Sequence, residues 1–206
     1  GGVTAAPYVV SASALGASGK PGANDRIGIG YIGVGRRGRQ LMGLPAEGRI
    51  VAVADVDQRR VEAAAAATKA RAYADYREML EAKDVDAVIV STPDHWHAPI
   101  GNLAFQAGKD VYGEKPLSYD VREGQQMLEN LNKYNRVFQL GTQIHAGDNY
   151  HRVVELIQSG AIGKVHTVRM WKTGFSPKIK RTRNAIKPAT LDWDMWLGPR
   201  PKRPSR

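Results

Sequence analysis

The residues able to do chemistry gather in four short stretches. Gly33-Val34-Gly35-Arg36-Arg37-Gly38 sets a glycine turn beside two guanidinium groups, a combination suited to phosphate. Asp55, about 20 residues further on, offers a carboxylate after an apolar run. Ser91-Thr92-Pro93-Asp94-His95-Trp96-His97 carries two imidazoles, and Tyr112-Gly113-Glu114-Lys115-Pro116 sets a carboxylate and an amine beside a proline. His95 and His97 resemble a metal-ligand pair in spacing alone. No carboxylate cluster accompanies them, and two imidazoles by themselves rarely make a site, so no metal is expected. The chain has no cysteine, which excludes disulfides, thiol nucleophiles and zinc–thiolate centres.

These stretches need elements to position them. Residues 26–32, 49–55, 85–91, 109–112 and 136–140 read as strands, with a short one near Ala72-Tyr73. They are continuous apolar runs rather than alternating ones, as a parallel sheet covered on both faces requires. Helical segments lie between them, at 36–44, 58–68, 75–82, 99–107 and 120–133, the last with Asp120 as its N-cap. Alternating strands and helices predict an α/β fold, a doubly wound parallel sheet of Rossmann type. After Gly141 the rhythm changes. Residues 150–159 are amphipathic and helical, and 164–171 alternate like a half-buried antiparallel strand. The expected organisation is a leading segment 1–25, a Rossmann domain 26–141, and the start of an incomplete α+β C-terminal domain at 142–206.

In that context the glycines acquire roles. The GxGxxG stretch follows a strand and opens a helix, and an acid ends the next strand. Gly33 permits the tight turn, Gly35 lets the backbone approach a pyrophosphate, and Gly38 lets helix and strand pack closely. The helix N-terminus offers N–H groups and a positive dipole end to the phosphates, with Arg36 and Arg37 adding charge. A carboxylate at Asp55 accepts hydrogen bonds from the adenosine ribose and repels a 2′-phosphate, which favours NAD over NADP. Asp57 is a second candidate acid. Arg59 and Arg60 keep NADP open, because arginine pairs with phosphate. The competing reading is a glycine turn that holds no ligand. The other two stretches fall at strand carboxyl ends, where such a sheet binds ligands.

Composition sets outer bounds. The net charge is +10 over 206 residues, and most of it lies late. From Lys172 to Arg206 there are ten lysines and arginines against two aspartates. A basic tail could bind nucleic acid or a membrane surface. Here it also carries Trp193, Trp196 and the Leu191–Leu197 spacing, which unfolded basic arms lack, so neither partner is expected. No stretch is apolar enough for long enough to cross a bilayer. Gly1–Ala17 is uncharged, rich in small residues and mildly apolar. It reads as the remnant of a secretory signal, predicting a periplasmic or secreted protein; a low-complexity terminus on a cytoplasmic protein is the alternative.

The ordered set "GVGRRG", "VADVD", "STPDHWHAPI", "YGEKPLS" and "SGAIGKV" resembles the glucose–fructose oxidoreductase / inositol dehydrogenase / MocA family of NAD(P)-dependent oxidoreductases. "LDWDMWLGP" is similar to its exported bacterial members. The resemblance covers nearly all of the chain from Arg26 onward. It implies a Rossmann domain, a C-terminal α/β domain with an open sheet often used for homo-oligomers, and hydride transfer between a sugar or cyclitol carbinol and the nicotinamide. Lys115 matches the family's active-site lysine, with Glu114 beside it. The competing reading for that dipeptide is an ordinary surface Glu–Lys pair. Thr92, Pro93 and His97 match a stretch lining the cofactor crevice. Gln143 and His145 fall near the substrate cleft, where many relatives carry an arginine that this sequence lacks. The second catalytic group implied by the family, a histidine with an aspartate, lies in a region beyond "LDWDMWLGP". A glycosidase using transient oxidation by bound NAD, and a nucleotide-binding protein without catalysis, are the alternative functions.

Overall fold

The structure is a computed structural model that describes residues 26–43, 48–143, 147–171, 174 and 184–204. Six strands form one parallel sheet in the order β3-β2-β1-β4-β5-β6. They are β1 (Gly28–Ile32), β2 (Arg49–Ala54), β3 (Arg71–Tyr73), β4 (Ala87–Val90), β5 (Asp110–Glu114) and β6 (Phe138–Gly141). The order reverses between β1 and β4, so a crevice opens there at the carboxyl ends of the strands.

Neighbouring residues along a strand point to opposite faces, and both faces here are apolar. On one face Tyr31, Val53 and Ile89 pack with Leu41 of α1 (Arg36–Leu41) and Val61 and Ala64 of α2 (Gln58–Thr68). On the other, Val88, Val90 and Val111 meet α3 (Tyr76–Leu80), α4 (His97–Gln106) and α5 (Val121–Lys133) through Met79, Phe105 and Met127. Met79 and Phe105 are fully buried, and truncating an aromatic in such a core costs about 3–5 kcal/mol. The continuous apolar strands thus make the doubly wound arrangement their pattern predicts.

The helix starts follow capping chemistry. Asp57, Asp75 and Asp120 accept from the backbone N–H of Arg59, Arg77 and Glu123. Most expected boundaries move by one to three residues. The first helix ends at Leu41 rather than 44, where the buried Tyr31 hydroxyl donates to the Leu41 carbonyl at 2.8 Å.

One expectation beyond Gly141 is corrected. Residues 164–171 form no strand: Val165, Val168, Met170 and Trp171 are exposed, and no strand among the described residues pairs with them. An alternating pattern makes a strand only when another edge satisfies its N–H and C=O groups. Helix α6 (Asp148–Gln158) does form, with no buried residue. The later tail packs onto the Rossmann domain. Asp57 and Leu191 make an antiparallel bridge, and Gln58 N–H donates to the Thr190 carbonyl at 2.9 Å. Asp192 N–H donates to the Val56 carbonyl at 2.9 Å. The short α7 (Trp193–Leu197) follows, capped by Asp192, with Leu197 only 2% exposed.

Candidate functional site

The crevice is built upward from the turn after β1. Gly33 has φ +85°, and a Cβ there would lie 2.9 Å from the Ser91 backbone. Only glycine meets both conditions without strain. A Cβ on Gly38 would run into the Gly33 carbonyl oxygen. At Gly35 such an atom would meet nothing nearer than the Arg60 guanidinium at 3.3 Å. The space beside Gly35 is therefore open crevice, reached by the first turn of α1. The Ser91 hydroxyl donates to the Gly33 carbonyl at 2.6 Å, tying the end of β4 to this turn.

Asp55 stands at the end of β2, within the cavity wall. Its two oxygens accept from Val34 N–H at 2.8 Å and Asp57 N–H at 2.9 Å. Each carboxylate oxygen has a further lone pair for a ligand hydroxyl. Burial pushes the Asp55 carboxyl above the usual aspartate range; the two backbone N–H groups and the nearby Arg60 charge pull it back only in part. Asp57 goes the other way. Burial works to raise it, but hydrogen bonds from Arg59 outweigh that and hold it low. Asp57 is committed to capping α2 and pairing Arg59 and Arg60, so Asp55 is the acid that faces the crevice.

The cavity, about 110 Å³ in volume, opens to solvent at the strand ends. Gly33, Gly35, Asp55, Thr92 and Pro93 all line it. The Thr92 hydroxyl is buried there without a hydrogen-bond partner, a cost that a polar ligand would relieve. An open glycine cradle, a helix start, an acid with spare acceptor capacity and an orphaned hydroxyl suit a dinucleotide's phosphates and ribose.

The imidazoles have separate duties. His95 Nε2 and the Trp96 indole N–H both meet the Trp196 carbonyl, at 3.0 and 3.2 Å. His97 is buried, with Nδ1 2.6 Å from the Pro116 carbonyl and Nε2 2.9 Å from the Thr92 carbonyl. It joins the two motif stretches from behind the crevice rather than lining it. Among the described residues no group of histidines and carboxylates could hold a metal.

At the end of β5, Glu114 is buried and accepts from Arg37 at 2.6 Å. Arg36, its neighbour on α1, is exposed. Lys115 follows Glu114, exposed, and joined to Pro116 by a cis peptide bond. Because every strand is parallel, the fingerprint turn, Asp55, Thr92 and Lys115 share one end of the sheet. Gln143 lies in an exposed turn just after β6; His145 falls outside the described residues, as does Gly1–Ala17. The sequence marked none of Trp96, Met195 and Trp196 as site residues, although all three line the cavity. Two tryptophans three apart after a capping aspartate were the available signal.

The GFO_IDH_MocA model, described as an oxidoreductase family with an NAD-binding Rossmann fold, matches residues 27–142. Inositol 2-dehydrogenase of Salmonella typhimurium is 33% identical over 141 residues, covering 67% of this chain and 42% of that protein. Among solved structures, myo-inositol 2-dehydrogenase of Lactobacillus plantarum superposes with a TM-score of 0.63 at 27% identity, over 68% of this chain and 43% of the other. The WlbA dehydrogenase of Bordetella pertussis, in complex with NADH and UDP-GlcNAcA, gives 0.64 at 26% identity, over 67% and 43%. The chain spans less than half the length of the curated relatives it matches.

Proposed function

Since this chain belongs to the Gfo/Idh/MocA oxidoreductase family, we propose that the protein is an NAD-dependent dehydrogenase acting on a secondary hydroxyl of a cyclitol or sugar. One observation carries this: the fingerprint turn, Asp55 and Lys115 stand at the same end of one parallel sheet. Gly33, Gly35 and the start of α1 would hold the pyrophosphate, and Asp55 the adenosine ribose. The carboxylate of Asp55 supports NAD over NADP through repulsion of a 2′-phosphate. When bound, the nicotinamide supplies the two-electron chemistry by taking or giving a hydride.

The chain's own residues manage the proton and the geometry. The Lys115 amine takes the proton of the reacting hydroxyl, and its ammonium returns it in the reverse direction. Arg37 and Glu114 hold the strand end from which Lys115 projects, and His97 holds the adjoining Pro116 carbonyl. Relatives and neighbours named for inositol, and one holding a nucleotide sugar, support a polyhydroxylated substrate. A homo-oligomer and export directed by Gly1–Ala17 complete the proposal; gel filtration and cell fractionation check them.

The direct experiment is NADH formation by the whole protein across a panel of cyclitols and sugars. Lys115→Ala is expected to lower turnover about 10²–10⁴-fold with little change in NAD affinity. No turnover with any polyol, or undiminished turnover in Lys115→Ala, would overturn the assignment.

A further inference from the structure

We propose that residues 188–200 form the outer wall of the adenosine half of the crevice, with Met195 and Trp196 as residues that contact and select the cofactor's purine ring. This rests on the dinucleotide reading above and adds a segment that the fingerprint does not include.

The wall is identified by what it lines. Met195 and Trp196 face the same cavity as Gly33, Asp55, Arg60 and Trp96. Asp55 ends β2, on the β3-β2-β1 side of the point where the strand order reverses. In this fold that acid marks the ribose next to the purine. Side chains beside Asp55 and across from the fingerprint turn therefore meet the adenosine rather than the nicotinamide.

The wall is also anchored. Backbone bonds at Thr190 and Asp192 fasten it to the start of α2 and to Val56. The Trp196 carbonyl is held twice, by His95 and by Trp96. The Trp196 ring stacks on Trp193 at 4.9 Å and meets the His95 ring edge-on at 5.8 Å. At the far end, the Arg200 guanidinium lies 4.0 Å over the Tyr119 ring, in the loop after β5. The segment is thus fixed at both ends of the crevice.

The chemistry of the wall narrows its ligand. A thioether and an indole are polarisable and apolar, and they favour a flat heteroaromatic ring. Asp55 and Arg60 on the other side supply the polar contacts that such a ring's sugar would need. An aromatic–base contact is worth about 1–3 kcal/mol by alanine substitution, which corresponds to about 5–150-fold in affinity.

The test is calorimetry of the full chain with NAD and with ADP-ribose, for wild type, Met195→Ala, Trp196→Ala and Trp196→Phe. The expected result is a loss of about tenfold for both alanine variants, equal for the two ligands, with most affinity kept in Trp196→Phe. Quenching of tryptophan emission by ADP-ribose should vanish or weaken in Trp196→Ala. If Trp196→Ala melts early, Met195→Ala decides the matter. Wild-type chain that binds neither NAD nor ADP-ribose overturns the cofactor reading and this inference together. Wild-type binding that Met195→Ala and a folded Trp196→Ala leave unchanged overturns the inference alone.

Discussion

Arg37 donates from Nη2 to Oε1 of Glu114 at 2.6 Å, joining the first turn of α1 to the last residue of β5. β4 lies between β1 and β5 in the sheet, so the pair spans the point where the strand order reverses. Glu114 is the more buried partner, with 6% of its side chain exposed against 35% for Arg37. Removing Arg37 strands a carboxylate in a poor solvent, whereas removing both charges does not. Arg37→Met is expected to destabilise by about 1–3 kcal/mol, and Arg37→Met with Glu114→Gln by clearly less than the sum of the singles. Urea midpoints for the four proteins give the coupling directly. Additive losses would show that the pair contributes nothing of its own.

Asp55 makes cofactor choice depend on pH. Its carboxyl titrates above the usual aspartate range, chiefly through burial. Protonation removes the charge proposed to repel a 2′-phosphate, so the proposed preference for NAD should shrink as pH falls toward that raised value. The phosphate of NADP itself gains a proton near pH 6, so Asp55→Asn serves as the reference. The wild-type ratio of NADP to NAD dissociation constants should converge on that of Asp55→Asn as pH falls from neutral toward the raised value. Two ratios that stay parallel across this range would remove Asp55 from the discrimination.

Tyr31 supplies a stability signal at alkaline pH. Burial pushes its phenol up to about 12, whereas an unfolded tyrosine ionises near 10. Between about pH 10 and 12 the unfolded chain gives up its proton first, so the stability this residue confers is present below pH 10 and lost as pH rises. Tyr31→Phe also orphans the Leu41 carbonyl that the hydroxyl serves, at a cost of about 1–2 kcal/mol at pH 8. Denaturation series at pH 8 and pH 11 should show the two proteins drawing together. A constant gap would mean that the phenol is not linked to folding.

Hydrogen exchange separates the two parts of the tail. The amides of Gln58, Asp192 and Trp196 bond to carbonyls across or within the docked segment and are expected to exchange slowly. The amides of residues 164–170 belong to no strand or helix and should exchange within the dead time. Equal rates in the two regions would contradict the docking.

Much of this protein was legible in the order of its residues. Continuous apolar runs separated by helical stretches specify a parallel sheet covered on both faces, and the glycine turn with Asp55 marks which end binds. Those are local facts of periodicity, turn geometry and side-chain type, and Gly33 at φ +85° shows why the residue had to be glycine. What lies far apart in the chain was not legible. Nothing in the alternation of residues 164–171 reveals whether an edge exists for them to join. The pairing of Arg37 with Glu114 spans 77 positions, and that of His95 with Trp196 spans 101. Such contacts depend on where the sheet carries each strand end. Only the folded sheet therefore decided that Met195 and Trp196 of a basic tail would line the crevice.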